Sequence, residues 1–292
     1  MVPAGDVIPS AICDSCPLAS RRLCRALRDL PAGHRCRPRL RRVRAETTLQ
    51  GQTECAQFAG ILRRGYVRSE QFLMDGRRSV LGFFAPGDLI GTVPGSRRGP
   101  ALVAASDAEI CVLDPAALRG ALQQNDLLNA HFLAEAIRLH TRQLEMIWRR
   151  GALSSRERIA AFLVMAMEFM PTEPLPDGSV ILSVKVSRKD WADFANTTVE
   201  TICRTLADLA ARDMLDPVAP GRYRIRDPGL LAQFAGLEPL GIPPAMLVDD
   251  MSGPPQDAAT RPVPSRLTTP IYRIRLRLPG LRPGAVPDIR PR

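Results

Sequence analysis

Histidine occurs only three times in the 292 residues, as His34, His131 and His140, and no nucleophile-and-base pairing is evident around any of them. A glycine-rich phosphate loop is missing as well. These two absences remove the common hydrolytic and phosphoryl-transfer designs, and the chain reads as no enzyme. No uninterrupted apolar run reaches the roughly 18 residues of a membrane-spanning helix, so no membrane partner is expected. The opening MVPAGDVIPSAIC has no basic stretch leading into an apolar one. Without that secretory pattern the expected compartment is the cytoplasm, where thiols stay reduced.

Positive charge and cysteine are plentiful. A formal net charge of +10 and a sequence pI near 10.0 favour polyanionic partners, because each cation placed on a phosphate releases counterions. An apolar content of 45% is enough to bury the core of one large or two ordinary domains. Seven cysteines in a reducing compartment point to metal or redox chemistry rather than structural disulfides. Three of them, Cys13, Cys16 and Cys24, crowd the stretch AICDSCPLASRRLC beside Arg21, Arg22 and Arg25, cations that would stabilise thiolates. With His34 or Cys36 they make a local tetrahedral zinc set. On spacing alone, zinc and an iron–sulfur cluster both remain open.

The arginine-dense run that follows, RRLCRALRDLPAGHRCRPRLRRVR, reads as a solvated charged face. From about residue 45 to 114, short apolar segments alternate with turn signals such as Asp75-Gly76 and Pro86-Gly87, which predicts a small antiparallel roll. Ala130, Leu133, Ile137, His140, Leu144 and Ile147 then step by 3, 4, 3, 4 and 3, the spacing of a coiled-coil seam. SSRERIAAFLVMAMEFM predicts a serine-capped helix ending before Pro171. Twelve of the 27 prolines fall in residues 238–292, a density that predicts a disordered tail.

KVSRKDWADFANTTVETICRTLADLAARDML reads as two helices joined by a tight turn at Asn196-Thr197. Val199, Ile202, Leu206 and Leu209 are the expected inward face of the second helix, which starts at Thr198. Glu200, Cys203 and Arg204 then share its outward face, where arginine can grip guanine and glutamate can accept from cytosine. An ordinary surface ion pair fits the same spacing. VAPGRYRIRD adds a hairpin with Arg222, Arg224 and Arg226 at alternate positions, a wing with cations for phosphates.

Taken in order, FFAPGDLIG, EICVLDPAALRGAL, SSRERIAAFL and TVETICRTLADL resemble the CRP/FNR family of bacterial transcription regulators over roughly residues 10 to 236. The resemblance implies an α+β chain. Its expected parts are a cysteine-rich segment (1–30), a cyclic-nucleotide-binding-like β-roll (31–125), a dimerisation helix (126–152), a winged helix-turn-helix (153–236) and the tail (237–292). It also implies a homodimer along Leu133, Ile137, His140, Leu144 and Ile147, working with RNA polymerase. Each subunit would read half of a palindromic double-stranded DNA site with TTGAT-like halves through Thr198, Glu200, Cys203, Arg204 and Arg222. Cys203 departs from the serine usual in the FNR branch, and a thiol is the weaker hydrogen-bond donor. Where the cyclic-nucleotide branch carries Gly-Glu-Leu and an arginine followed by a hydroxyl, this chain has Gly87-Asp88-Leu89 and Arg98-Gly99, which disfavours a nucleotide-binding module. The FNR branch instead holds an oxygen-labile 4Fe-4S cluster, and the resemblance assigns its ligands to Cys13, Cys16, Cys24 and Cys111, with zinc the competitor. Cys36 and Cys55 have no matching role, although Cys36 could substitute as a ligand.

Overall fold

The computed structural model describes residues 6–7, 13, 15–31, 36, 38–51, 59–91 and 99–237. The proposed tail and the positions of His34, Cys55 and Arg98 lie outside the described residues. Among the described residues a roll of nine strands forms first, from β1 (Asp6–Val7), β2 (Arg39–Val43), β3 (Thr48–Gln50), β4 (Ala59–Arg64), β5 (Val67–Phe72), β6 (Arg78–Phe84), β7 (Leu89–Gly91), β8 (Ala101–Ala104) and β9 (Ala108–Leu113). Two antiparallel sheets, ordered β1-β2-β9-β4-β7 and β3-β8-β5-β6, face each other across Leu49, Leu62, Val67, Phe84, Ile90, Leu102 and Ile110.

The arginine-rich run is no continuous solvated face. Its first part folds as α1 (Arg22–Arg28), with Leu23 and Leu27 buried, and its last part is β2, paired to β9 with Leu40 opposite Cys111. The physical reason is periodic: leucines four apart give the helix an apolar stripe, and the arginines occupy what is left. Leu18, Leu23, Leu27 and Cys36 join Ile61 and Leu113 of the roll in a separate small core.

Helices α2 (Pro115–Gln124) and α3 (Asp126–Ala152) follow, α2 capped by the Asp114 side chain with proline in its first turn and α3 by Asn125. The bounds of α3 are those expected for the dimerisation helix. Leu128, Met146 and Arg149 of α3 are buried against the subunit, whereas Leu133, Ile137, Leu144 and Ile147 are 50–59% exposed and His140 is exposed. One helix therefore carries two faces, one spent on its own subunit and one left apolar in water.

Helix α4 (Ser155–Phe169) opens with a reciprocal capping box between Ser154 and Glu157. A four-stranded antiparallel sheet, β10 (Thr172–Pro174), β11 (Val180–Ser183), β13 (Arg222–Ile225) and β12 (Leu215–Ala219) in spatial order, flanks α5 (Arg188–Phe194), α6 (Val199–Ala211) and α7 (Pro228–Phe234). This winged unit is not separate from the roll. Tyr66, Val80, Phe83 and Ala85 belong to the same core as Phe162, Trp191, Phe194 and Ile202, with the Phe83 ring 5.4 Å from Phe194 and 6.0 Å from Phe162.

Charge reinforces that junction. Arg68 reaches Glu70 (2.7 Å) and Asp190 (3.3 Å), and Arg78 reaches Asp190 and Asp193 (both 2.8 Å), joining the β5–β6 hairpin to α5. Asp190 and Arg68 are almost wholly buried, so these are ion pairs out of bulk water. Among the described residues no helix is long and apolar enough to cross a membrane.

Candidate cysteine site and nucleic-acid interface

The reader elements fold as expected, with one correction and one reassignment. Asn196 takes φ 48°, a left-handed conformation that asparagine tolerates, and so turns the chain between α5 and α6. Arg158 of α4 holds this turn by donating to the carbonyls of Ala195 (2.7 Å) and Leu153 (2.7 Å), tying it to the end of α3. Ile202, Leu206 and Leu209 are buried, but Val199 is 41% exposed and Thr205 takes a buried place instead. Val199 begins the helix, where the backbone is still turning away from the core. Thr198, expected to touch DNA, caps α6 by accepting from the Thr201 backbone N–H at 3.2 Å. Its side chain builds the N-terminus of α6.

Glu200, Cys203 and Arg204 are all exposed, and Arg204 donates to Glu200 at 2.9 Å. The ion pair is real. With both members in water it is worth only about 0.3–0.5 kcal/mol, so giving it up for a base edge costs little. The wing forms at Pro220-Gly221 between β12 and β13. Its arginines are more committed than the sequence suggested. Arg224 bonds Ser179 (3.0 Å) and Asp177, and Arg226 takes Asp216 through two 3.0 Å bonds, whereas Arg222 meets Glu173 only at 3.5 Å. Arg222 is the wing cation held most loosely.

At the other end of the molecule, Cys13, Cys16, Cys24 and Cys111 line one cavity of about 140 Å³ together with Leu18, Leu27, Cys36 and Ile61. A turn in which the Cys16 N–H donates to the Cys13 carbonyl at 3.2 Å gathers two of them, and Cys24 lies on α1. Cys111 comes from β9, where Ala108, Ile110 and Val112 pack into the roll and the alternate residues Cys111 and Leu113 pack with the small N-terminal core. Strand alternation therefore turns Cys111 out of the roll toward the N-terminal segment.

The thiols affect one another. Burial pushes Cys111 up to about 12, with Cys16, Cys24 and Cys13 adding to the rise and Arg63 opposing it. Burial likewise pushes Cys24 up to about 11, with Cys16 and Cys13 adding and Arg21 opposing. Cys36, also at about 11, owes its rise to burial and then to Asp114. Cys16, Cys24 and Cys13 all act on Cys111, whereas the rise at Cys36, which lines the same cavity, comes from burial and then Asp114.

The sequence missed Arg63. It is buried, paired with Glu109 at 2.6 Å, and its guanidinium donates to the Cys16 sulfur. Nothing local marks an arginine in a strand for this role; its place is set by β4 pairing with β9, which brings Ile61 opposite Cys111. Of the three arginines expected beside the thiols, Arg21 acts on Cys24.

Asp88, at the position where the roll of a nucleotide binder offers its ribose acid, is 1% exposed and fully engaged. It accepts from the Ala85 N–H (2.7 Å), from Arg138 (2.8 Å) and from Arg142, both on α3. The acid that would hold a sugar holds the long helix instead.

Comparison with known proteins agrees with this architecture. Residues 157–234 match the family model of a Crp-like helix-turn-helix domain, and residues 40–125 that of a cyclic nucleotide-binding domain. Transcriptional activatory protein AadR of Rhodopseudomonas palustris is 30% identical over 192 residues, which cover 62% of this chain and 74% of that protein. This chain belongs to the CRP/FNR family. It is accordingly a DNA-binding transcription regulator, and its relatives are regulators rather than enzymes. Within the family it is also similar to nitrogen fixation regulation protein FixK of Bradyrhizobium diazoefficiens, at 25% identity over 76% of this chain and 93% of that one. The structure of FixK2 from Bradyrhizobium japonicum superposes with a TM-score of 0.61 at 22% identity, over 67% of this chain and 96% of that one. A CooA mutant from Carboxydothermus hydrogenoformans gives 0.58 at 20% identity, over 68% and 88%. Both structures share the fold.

Proposed function

We propose that this CRP/FNR regulator is oxygen-responsive, with Cys13, Cys16, Cys24 and Cys111 as the four ligands of a 4Fe-4S cluster that favours a DNA-binding homodimer. The observation that carries the reading is the convergence of these four thiols, and their mutual influence, on one cavity. Four cysteines are the usual donor set of such a cluster. Buried thiols resist ionisation when each would face another thiolate, and a cationic iron core removes that conflict. Arg63 and Arg21 supply positive charge for the excess thiolate charge that remains. Among the described residues no three histidine, cysteine or acidic side chains come close enough to share one ion, and the preference for a cluster over zinc rests on Cys111 standing where the FNR resemblance needs a fourth ligand.

Bound, the cluster would supply coordination that oxygen can dismantle. The chain's own residues do the rest. Four ligated cysteines tie the N-terminal segment to β9, one short helix away from α3. The exposed apolar stripe at Leu133, Ile137, Leu144 and Ile147 is the surface on which a second copy packs, with His140 inside the seam. Pairing there sets two α6 helices at the spacing of a palindrome, read through Glu200, Cys203 and Arg204 with Arg222 on the phosphate backbone. RNA polymerase is the expected downstream partner.

Protein purified without oxygen should be brown and should bind a palindromic TTGAT-type duplex as a dimer. Admitting air should bleach it and lower the specific affinity, as followed by absorption and fluorescence anisotropy on one sample. A colourless protein binding equally well before and after air contradicts the proposal.

A further inference from the structure

The cysteine site and the dimer seam lie on different elements, and a chain of polar contacts runs between them. Arg21 immediately precedes α1, three residues before Cys24. Its Nη1 lies 3.5 Å from the Gly87 carbonyl oxygen and 3.4 Å from Oε1 of Glu135 on α3. The approach to Gly87 is close: a Cβ there would sit 2.3 Å from the Arg21 guanidinium carbon, on a backbone with φ of +96°. The positive φ favours glycine, and a Cβ there would push the flexible end of Arg21 off its seat. Glu135 in turn accepts from Arg138 Nε at 3.1 Å, and Arg138 shares buried Asp88 with Arg142.

At 100° per residue, Glu135, Arg138 and Arg142 occupy the face of α3 opposite Leu133, Ile137, Leu144 and Ile147. Asp88 fixes this face to the roll. Arg21 fixes it to the cysteine segment. The two attachments are within two turns of each other, so a change in one alters how the helix is rolled about its axis and how the seam is presented.

We propose that the Arg21–Glu135 contact, seated on Gly87, is the positioning link through which the cysteine site acts on the dimer helix. The inference rests on the function proposed above. Ordering of the 13–24 segment holds Arg21 on Glu135 and so keeps the helix in its pairing orientation. Release of that segment leaves Glu135 to Arg138 alone.

Glu135 is no ligand, but its charge reaches Cys24, so iron and sulfide content is measured beside dimerisation to separate the link from the cluster. Full-length Glu135→Gln, made without oxygen, should carry the same iron and sulfide as wild type. Its dimer dissociation constant by analytical sedimentation should weaken, within the 5–150-fold range usual for coupling between sites. After exposure to air, wild type and variant should dimerise alike. Because Glu135 also meets Arg138 and Arg21 also faces Cys24, Arg21→Gln and the Arg21→Gln/Glu135→Gln double variant complete a cycle compared at equal iron and sulfide content: the double variant should be no weaker than the weaker single variant, whereas additive losses would mean the two residues act separately.

An unchanged anaerobic dimer constant, equal weakening with and without air, or additive losses overturns the link. If wild type itself carries no iron or sulfide, the cluster reading fails. The same double-variant cycle on that cluster-free protein then decides the link alone, non-additivity supporting it and additivity overturning it.

Discussion

Ile137→Glu should leave the subunit folded and abolish its dimer. The side chain is 57% exposed, so its replacement removes little from the subunit's own core. Across a two-fold seam the same change acts twice, removing two apolar side chains and setting two carboxylates against each other. At about 1.5–3 kcal/mol for each buried aliphatic side chain, the loss is about 3–6 kcal/mol, or roughly 10²–10⁴-fold in dimer affinity. Circular dichroism should match wild type, sedimentation should give a monomer, and specific DNA affinity should fall toward the non-specific level. A dimeric Ile137→Glu protein would show that the seam lies elsewhere.

Arg68→Met should be the most destabilising single change at the junction of roll and reader. Arg68 is 2% exposed and answers Glu46, Glu70 and Asp190; without it, buried Glu70 and Asp190 share Arg78 alone. Breaking a buried pair from one side costs about 3–5 kcal/mol, because the remaining charge keeps its desolvation penalty. Denaturant titration should show the loss in the midpoint, with Arg222→Met on the exposed wing within about 0.5 kcal/mol of wild type. A loss below about 1 kcal/mol for Arg68→Met would mean that the apolar contact of Phe83 with Phe162 and Phe194 alone holds the two parts together.

Acid should weaken the Glu46–Arg68 pair, which ties β5 to the turn between β2 and β3, and so lower the denaturant midpoint. The hydrogen bond from Arg68 holds the Glu46 carboxyl below the usual carboxylate range. Its stabilisation is therefore complete above the unfolded value of about 4.3 and is lost as pH falls through the lower folded value.

The parts that local sequence determines were legible in advance. The seam spacing from Ala130 to Ile147 falls within one helix, and the serine start of α4 and the turn at Asn196 follow from side chains acting on their own backbone. The grouping of Cys13, Cys16 and Cys24 was equally local, and Cys111 joined them through family resemblance rather than through spacing. What could not be read are contacts closed by distant pairing. Arg63 reaches the thiols only because β4 lies beside β9, and Asp88 meets Arg138 and Arg142 only once α3 packs on the roll. The boundary drawn at residue 153 also hid the shared core, since Phe83 and Phe194 are far apart in the chain and indistinguishable from ordinary core residues.

The reading stands on Cys111, the thiol that β9 contributes to the cysteine cavity. Iron and acid-labile sulfide should therefore be measured in wild type and in Cys111→Ser, both purified without oxygen. Wild type should contain iron and sulfide in equal amounts, and Cys111→Ser should have lost both. Full iron and sulfide in Cys111→Ser, or stoichiometric zinc in both proteins, would contradict the account.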